Sequence, residues 1–281
     1  MRVKQLLSGF IFFVGSLAAA SGAEAATHGR LATPDFTVSG AASVAPLYSN
    51  YTSVNPGMEA EGFQVGRVTI VRFVLAGSCP EEGCYTTVVT QAPNGGMRQV
   101  FSLKTSKVQY YAGYGPYPTL RVNGLDWSFT ATYGYIADLK SAGSAFVPTG
   151  RPKGRTERQV DAALQDSGWP QGVPALVQEV TPGGGAPTTL MVIPDQSTPA
   201  GQEDCAASSC HVWFLIYKAG RWVASTGTVG TSLLALLPPD QNGVQQIGVG
   251  ELQGFNTYSW KPSDERWEKT ASTFSAVTGR Q

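Results

Sequence analysis

Apolar residues along the chain come in short β-branched and aromatic runs broken by Gly, Pro and Asn. Only one segment, after Thr156, falls on the spacing of an amphipathic helix. Gly66-Arg-Val-Thr-Ile-Val-Arg-Phe-Val-Leu75 reads as one strand. Tyr85-Thr-Thr-Val-Val-Thr90, a Gly95-Gly96 turn and Gln99-Val-Phe-Ser-Leu103 read as strand, turn, strand. The same order returns later, as His211-Val-Trp-Phe-Leu-Ile-Tyr217, Gly220 and Arg221-Trp-Val-Ala224, with a further hairpin predicted upstream from Pro174–Val180 and Thr188–Ile193. One short helix is expected after Thr156. Thr156 and Gln159 have capping-box spacing, Val160, Ala163 and Leu164 share a face, and Gly168 before Trp169-Pro170 supplies a stop.

The cysteines give this pattern a period. Cys79/Cys84 and Cys205/Cys210 share one spacing, and each pair opens a similar β-like run, so the chain reads as one unit used twice. The fold expected is all-β, β-dominated with one short helix, in two similar β domains arising from an internal duplication. Asn123-Gly124 and Asn242-Gly243, both suited to tight hairpins, are taken as matching turns. On that matching the first copy holds seven extra residues, located in the segment Tyr110-Tyr111-Ala-Gly-Tyr114-Gly-Pro-Tyr117-Pro118.

The domain expectations follow: a leader over 1–25, an arm or edge strand over 26–60, a first β domain over 61–139, a solvated linker over 140–155 and a second β domain over 156–281. The leader rests on Arg2 and Lys4, the apolar stretch Leu6–Ala20 and the small-residue site Ala23-Glu24-Ala25, the plan of a secretory signal peptide. The apolar stretch is short for a spanning helix, so the mature chain is expected in the periplasm or outside the cell, with no membrane span after cleavage.

Composition narrows function more than it defines it. Thirty-three Gly, 18 Pro and 14% charged residues favour turns over long exposed helices. With 20 basic and 20 acidic residues there is no net field to hold nucleic acid. In an oxidising compartment the four cysteines are expected as two local disulfides, Cys79–Cys84 and Cys205–Cys210, because duplication of a unit duplicates a bond lying within it. A four-cysteine zinc site is the rival reading, and zinc knuckles prefer closer pairs. No cofactor, metal or catalytic residue is assigned. His211 opens a strand, and Glu81, Glu82 and Asp126 leave a carboxylate-pair hydrolase as a third-ranked possibility.

Tyr110, Tyr111, Tyr114 and Tyr117 are the candidate partner-binding residues, since tyrosines among Gly and Pro suit a recognition loop. The alternative is that Tyr110 and Tyr111 finish a strand with one ring in the core, while Tyr114 and Tyr117 cover its edge. Trp213, Trp222, Trp260 and Trp267 read as core and cross-strand packing. Cys210 with its apolar strand, Gly220-Arg-Trp222, Leu233–Pro238, Asn242-Gly243 and the Tyr258–Trp260/Arg266-Trp267 hairpin together resemble a pattern in small, largely uncharacterised bacterial periplasmic β-rich proteins of inhibitor or immunity kind. The same stretch is superficially similar to a blade of FG-GAP-type propellers but lacks their spaced Asp residues. The function expected is non-enzymatic binding of an envelope protein through the Tyr-rich loop. The alternative is an envelope-assembly or polysaccharide-binding module.

Overall fold

Strand β3 (Val68–Leu75) carries apolar residues almost without alternation because both of its faces are covered. Val68 and Ile70 point into one core and Val71 and Phe73 into another. The computed structural model describes residues 29–48, 57–92, 95–113, 115–206 and 209–274; the leader expected over 1–25 lies outside them. The described chain is β-dominated, with four antiparallel sheets and few helices.

In the first half, β2 (Met58–Val65), β3, β4 (Cys84–Gln91) and β5 (Met97–Thr105) form one meander. A second meander runs β6 (Val108–Ala112), β7 (Leu120–Val122), β8 (Leu125–Thr130) and β9 (Gly134–Ala137), with β1 (Arg30–Ala32) added antiparallel to β6. The second half repeats this order. β11 (Ala175–Val180), β12 (Thr189–Pro194), β13 (Cys210–Lys218) and β14 (Arg221–Gly230) make the first sheet. β15 (Leu234–Pro239), β16 (Gln245–Glu251), β17 (Gly254–Lys261) and β18 (Arg266–Phe274) make the second, with β10 (Ser144–Phe146) added to β15. Each half is a sandwich whose two sheets share a core. Phe101, Trp127 and Tyr135 fill the first core, and Phe214, Tyr258 and Trp267 the second. Each such buried side chain stabilises the fold by about 1.5–3 kcal/mol.

The outer face of each first sheet is capped by helical chain. Over β11–β14 lies α2 (Arg155–Gln165), which buries Val160 and Leu164 against Leu190, Val192, Leu215 and Trp222. The expected helix is therefore present, but its N-cap is Gly154 and Thr156 lies inside the first turn. Over β2–β5 lies the chain from a 3-10 turn at Ser39–Ala41 onward, which buries Ala41 and Val44 against Val71, Phe73 and Val89. Close approach is possible there because Gly62 has no side chain; a Cβ would stand 2.6 Å from Gly40 and Ala41.

The stretch 26–60, expected as an arm or edge strand, supplies β1 at the edge of its sheet, this cap and the start of β2. The linker over 140–155 is largely structured. Helix α1 (Leu139–Ala142) precedes β10, Gly150 bridges to Val177, and Arg151 bonds Asp195 at 2.5 Å. Nor are the halves insulated, since Ala235, Leu237 and Phe255 join the first-half core beside Leu139. The two Asn-Gly pairs are also not equivalent. Asn123-Gly124 is a two-residue turn joining β7 to β8, with both residues at positive φ. Asn242-Gly243 ends a longer β15–β16 connection closed by the Asp240 carboxylate, which accepts from Asn242 N at 2.8 Å and Val244 N at 3.1 Å. By strand order that connection corresponds to the Tyr-rich one between β6 and β7, so the seven-residue surplus compared unlike turns. The actual difference is seven residues (113–119) against five (240–244).

Candidate functional site

Both disulfides are local, Cys79–Cys84 and Cys205–Cys210, with Cα separations of 5.0 and 4.2 Å. Cys84 and Cys210 are the first residues of equivalent strands, so each bond pins a strand entry. The second also gathers polar side chains. Asp204 closes α3 (Pro199–Asp204), and its carboxylate accepts from His211 N at 3.1 Å and lies 2.6 Å from His211 Nδ1. His211 thus has a carboxylate partner unrecognised in the sequence, although the two residues flank the cysteines of one short disulfide ring. No group of three or more His, Cys, Asp or Glu among the described residues is arranged to hold a metal.

The Tyr-rich segment is divided between a strand and a connection. Tyr110 and Tyr111 belong to β6, Tyr117 lies in the β6–β7 connection, and Tyr114 is outside the described residues. Tyr110 packs against Phe63, with ring centroids 5.3 Å apart. The Tyr111 hydroxyl accepts from Arg121 at 2.9 Å and donates to Asp126 at 3.3 Å. Tyr117, a candidate partner-binding residue, is half-buried and stacked on Phe129 at 3.9 Å. The connection is clamped at two points. Arg67 N donates to Pro116 O at 2.7 Å, and the Tyr135 hydroxyl donates to Pro118 O at 2.9 Å. Gly66 allows the first contact, because a Cβ there would lie 2.4 Å from the Pro116 carbonyl oxygen. Burial also pushes the Tyr135 phenol well above its ordinary pKa, with a smaller effect from Tyr117.

The carboxylates considered for hydrolysis do not converge. Glu82 pairs with Lys104 at 3.1 Å, and its pKa is lowered, first by its own backbone N–H and then by Lys104. Asp126 pairs instead with Arg121 at 3.2 Å. The tryptophans pack as expected. Trp260 and Trp267 are cross-strand partners with rings 5.9 Å apart, and buried Trp267 donates from Nε1 to Thr189 Oγ1 at 3.1 Å.

A different surface has the features of a binding site. Between α2 and the first residues of β14 runs a groove of about 690 Å³, floored by Ala162, Ala163, Trp222, Val223 and Ala224. Arg155 and Arg158, one helical turn apart, stand on its helix side and Arg221 on its strand side. All three are exposed, and none makes an ion pair or side-chain hydrogen bond with a described residue. Gln159 bridges the rim, donating to the Gly220 carbonyl at 3.2 Å. Asp166 is the acidic residue of the lining. Chain separation hid this cluster, since Arg155 read as linker charge and Arg221 as a strand start.

Comparison with known proteins returns no matching family model, no matching curated protein and no matching solved structure. The likeness of residues 205–270 to periplasmic β-rich proteins thus gains no support there. In the structure that stretch runs from the end of α3 through β13–β18, which belong to two different sheets of one sandwich and do not form a propeller blade.

Proposed function

We propose that this is an exported binding protein that recognises a protein of the cell envelope and does so through the α2–β14 groove. The observation that carries the reading is the pairing of an apolar floor with three exposed arginines that make no ion pair with a described residue. Recognition surfaces are built this way: apolar area supplies affinity, and arginine supplies direction and bidentate bonding. The scaffold supports it. The groove rests on an element whose inner face is locked to the sheet by Val160 and Leu164, so a partner meets a preformed surface. Two strand-pinning disulfides favour a chain made for an oxidising compartment, the periplasm or the cell exterior. No helix among the described residues is long and apolar enough to cross a membrane. The reading keeps the envelope partner expected from the sequence and moves the contact from the Tyr-rich segment to the opposite half. The test is capture from an envelope extract by the mature protein and by an Arg155→Ala/Arg158→Ala/Arg221→Ala variant. One partner retained by the first and lost by the second supports the reading; equal retention rejects the surface.

A further inference from the structure

We infer that the segment seated in the α2–β14 groove is an acidic stretch of the partner, with carboxylates bracketing apolar side chains. This rests on the proposal that the protein works by binding, and it adds the chemistry of the occupant. Three features of the groove lead to it.

The lining has a net positive balance: Arg155, Arg158 and Arg221 stand against Asp166 alone. The whole chain has equal numbers of acidic and basic residues, so this balance belongs to the lining and not to overall charge; Glu157 and Asp161 of α2 lie outside the lining. A long polyanion such as nucleic acid gains its affinity from many phosphate contacts, and a neutral protein with three clustered arginines offers few. A short acidic segment needs only the arginines of the lining.

The arginines also share the groove with apolar residues. Ala162, Ala163, Val223 and Ala224 are small, so this floor stays open, and Trp222 among them is 8% exposed. An occupant made only of charge would desolvate this floor for no return. One with aliphatic or aromatic residues between its carboxylates covers the floor and meets the guanidinium groups at both rims.

Finally, the arginines face the groove from two elements. Arg155 and Arg158 lie three residues apart on α2, and Arg221 begins β14 on the other side. Carboxylates on both edges of a short segment are therefore needed to engage all three, which separates this site from one for a single small anion. Aspartate and glutamate meet guanidinium in planar two-bond geometry, which lysines in the same places would not reproduce.

The experiment is selection of a displayed library of random short peptides on the full mature chain. Enriched peptides are then synthesised and titrated against wild type and the Arg155→Ala/Arg158→Ala/Arg221→Ala variant at low and high salt. The inference predicts enrichment of sequences combining Asp or Glu with apolar residues, affinity that weakens with salt, and a loss of about tenfold or more in the variant. Enrichment of neutral or basic sequences, no enrichment, or equal affinity for the variant overturns it. So does binding to vesicles of anionic lipid in place of any peptide. Should the triple variant fail to fold, Arg158→Ala and Arg221→Ala singly give the same readout at exposed positions. If the wild type still captures an envelope protein through the groove while acidic peptides fail, the binding reading stands and only the chemistry assigned to the occupant falls.

Discussion

Val100 and Ser225 hold the same place in the two halves. Each is the extra residue of a β-bulge, opposite the step between the fifth and sixth residues of the strand that begins at the second cysteine of its pair. Each also meets the last strand of the facing sheet. The Val100 carbonyl oxygen lies where a Cβ on Gly134 of β9 would come within 2.3 Å, and Ser225 Oγ accepts from Trp267 N of β18 at 3.2 Å. A bulge bends its strand and increases local twist, and here each bulge sits where β5 or β14 meets the facing sheet. Cysteine pair, bulge and strand order thus recur together in the two halves.

The disulfides are expected to contribute equally, because each closes a ring of the same size. Replacing either pair with serine should lower stability by about 2 kcal/mol on the chain-entropy model. Denaturant unfolding of the two variants measures this, and peptide mapping without reduction should recover 79–84 and 205–210 links with no bond between halves.

Tyr117→Ala should destabilise the protein by about 1–3 kcal/mol, since it removes a half-buried ring stacked on Phe129 and leaves the Phe129 face uncovered. Partner capture should be unchanged once the variant is folded. A variant as stable as wild type that no longer captures the partner would return the interface to the Tyr-rich segment.

Asp195 sets an acid-side dependence. Its carboxyl lies below the ordinary range, first because Ser197 donates to it, with the Ser197 backbone N–H and Arg151 adding to the effect against the cost of burial. A depressed folded pKa means that the contribution is complete above the unfolded value, about 3.9. It is lost as pH falls from there through the folded value. Glu251 acts in the opposite sense, since burial raises its pKa and protonation favours the folded form. Unfolding measured from pH 7 to pH 2 should therefore show a steeper acid loss in wild type than in Asp195→Asn.

What could be read from the sequence was whatever local pattern governs. The unbroken apolar runs of β3 and β12 belong to strands covered on both faces, and the face of Val160, Ala163 and Leu164 marked α2. Short edge strands were at best loosely legible: β1 falls in the arm or edge strand expected over 26–60, but β10 was read as linker, and both exist because β6 and β15 offer them an edge, a pairing that leaves no periodicity. Asn-Gly misled because the dipeptide serves both as a complete two-residue turn and as the end of a longer connection. The packing of the Tyr-rich segment was not legible in its composition, since its docking depends on Gly66, far away in the chain. The groove was out of reach for the same reason, with its arginines split among a presumed linker, the expected helix and a strand start.

The most direct test of the account places a photoreactive residue at Ala162, in the groove, and separately at Tyr85, exposed on the opposite half. After irradiation of cells producing each protein, the account predicts one discrete partner adduct from position 162 and none from position 85. The 162 adduct should also disappear when Arg155, Arg158 and Arg221 are replaced by Ala. An adduct from position 85 alone, or one from position 162 that survives loss of the arginines, would contradict it.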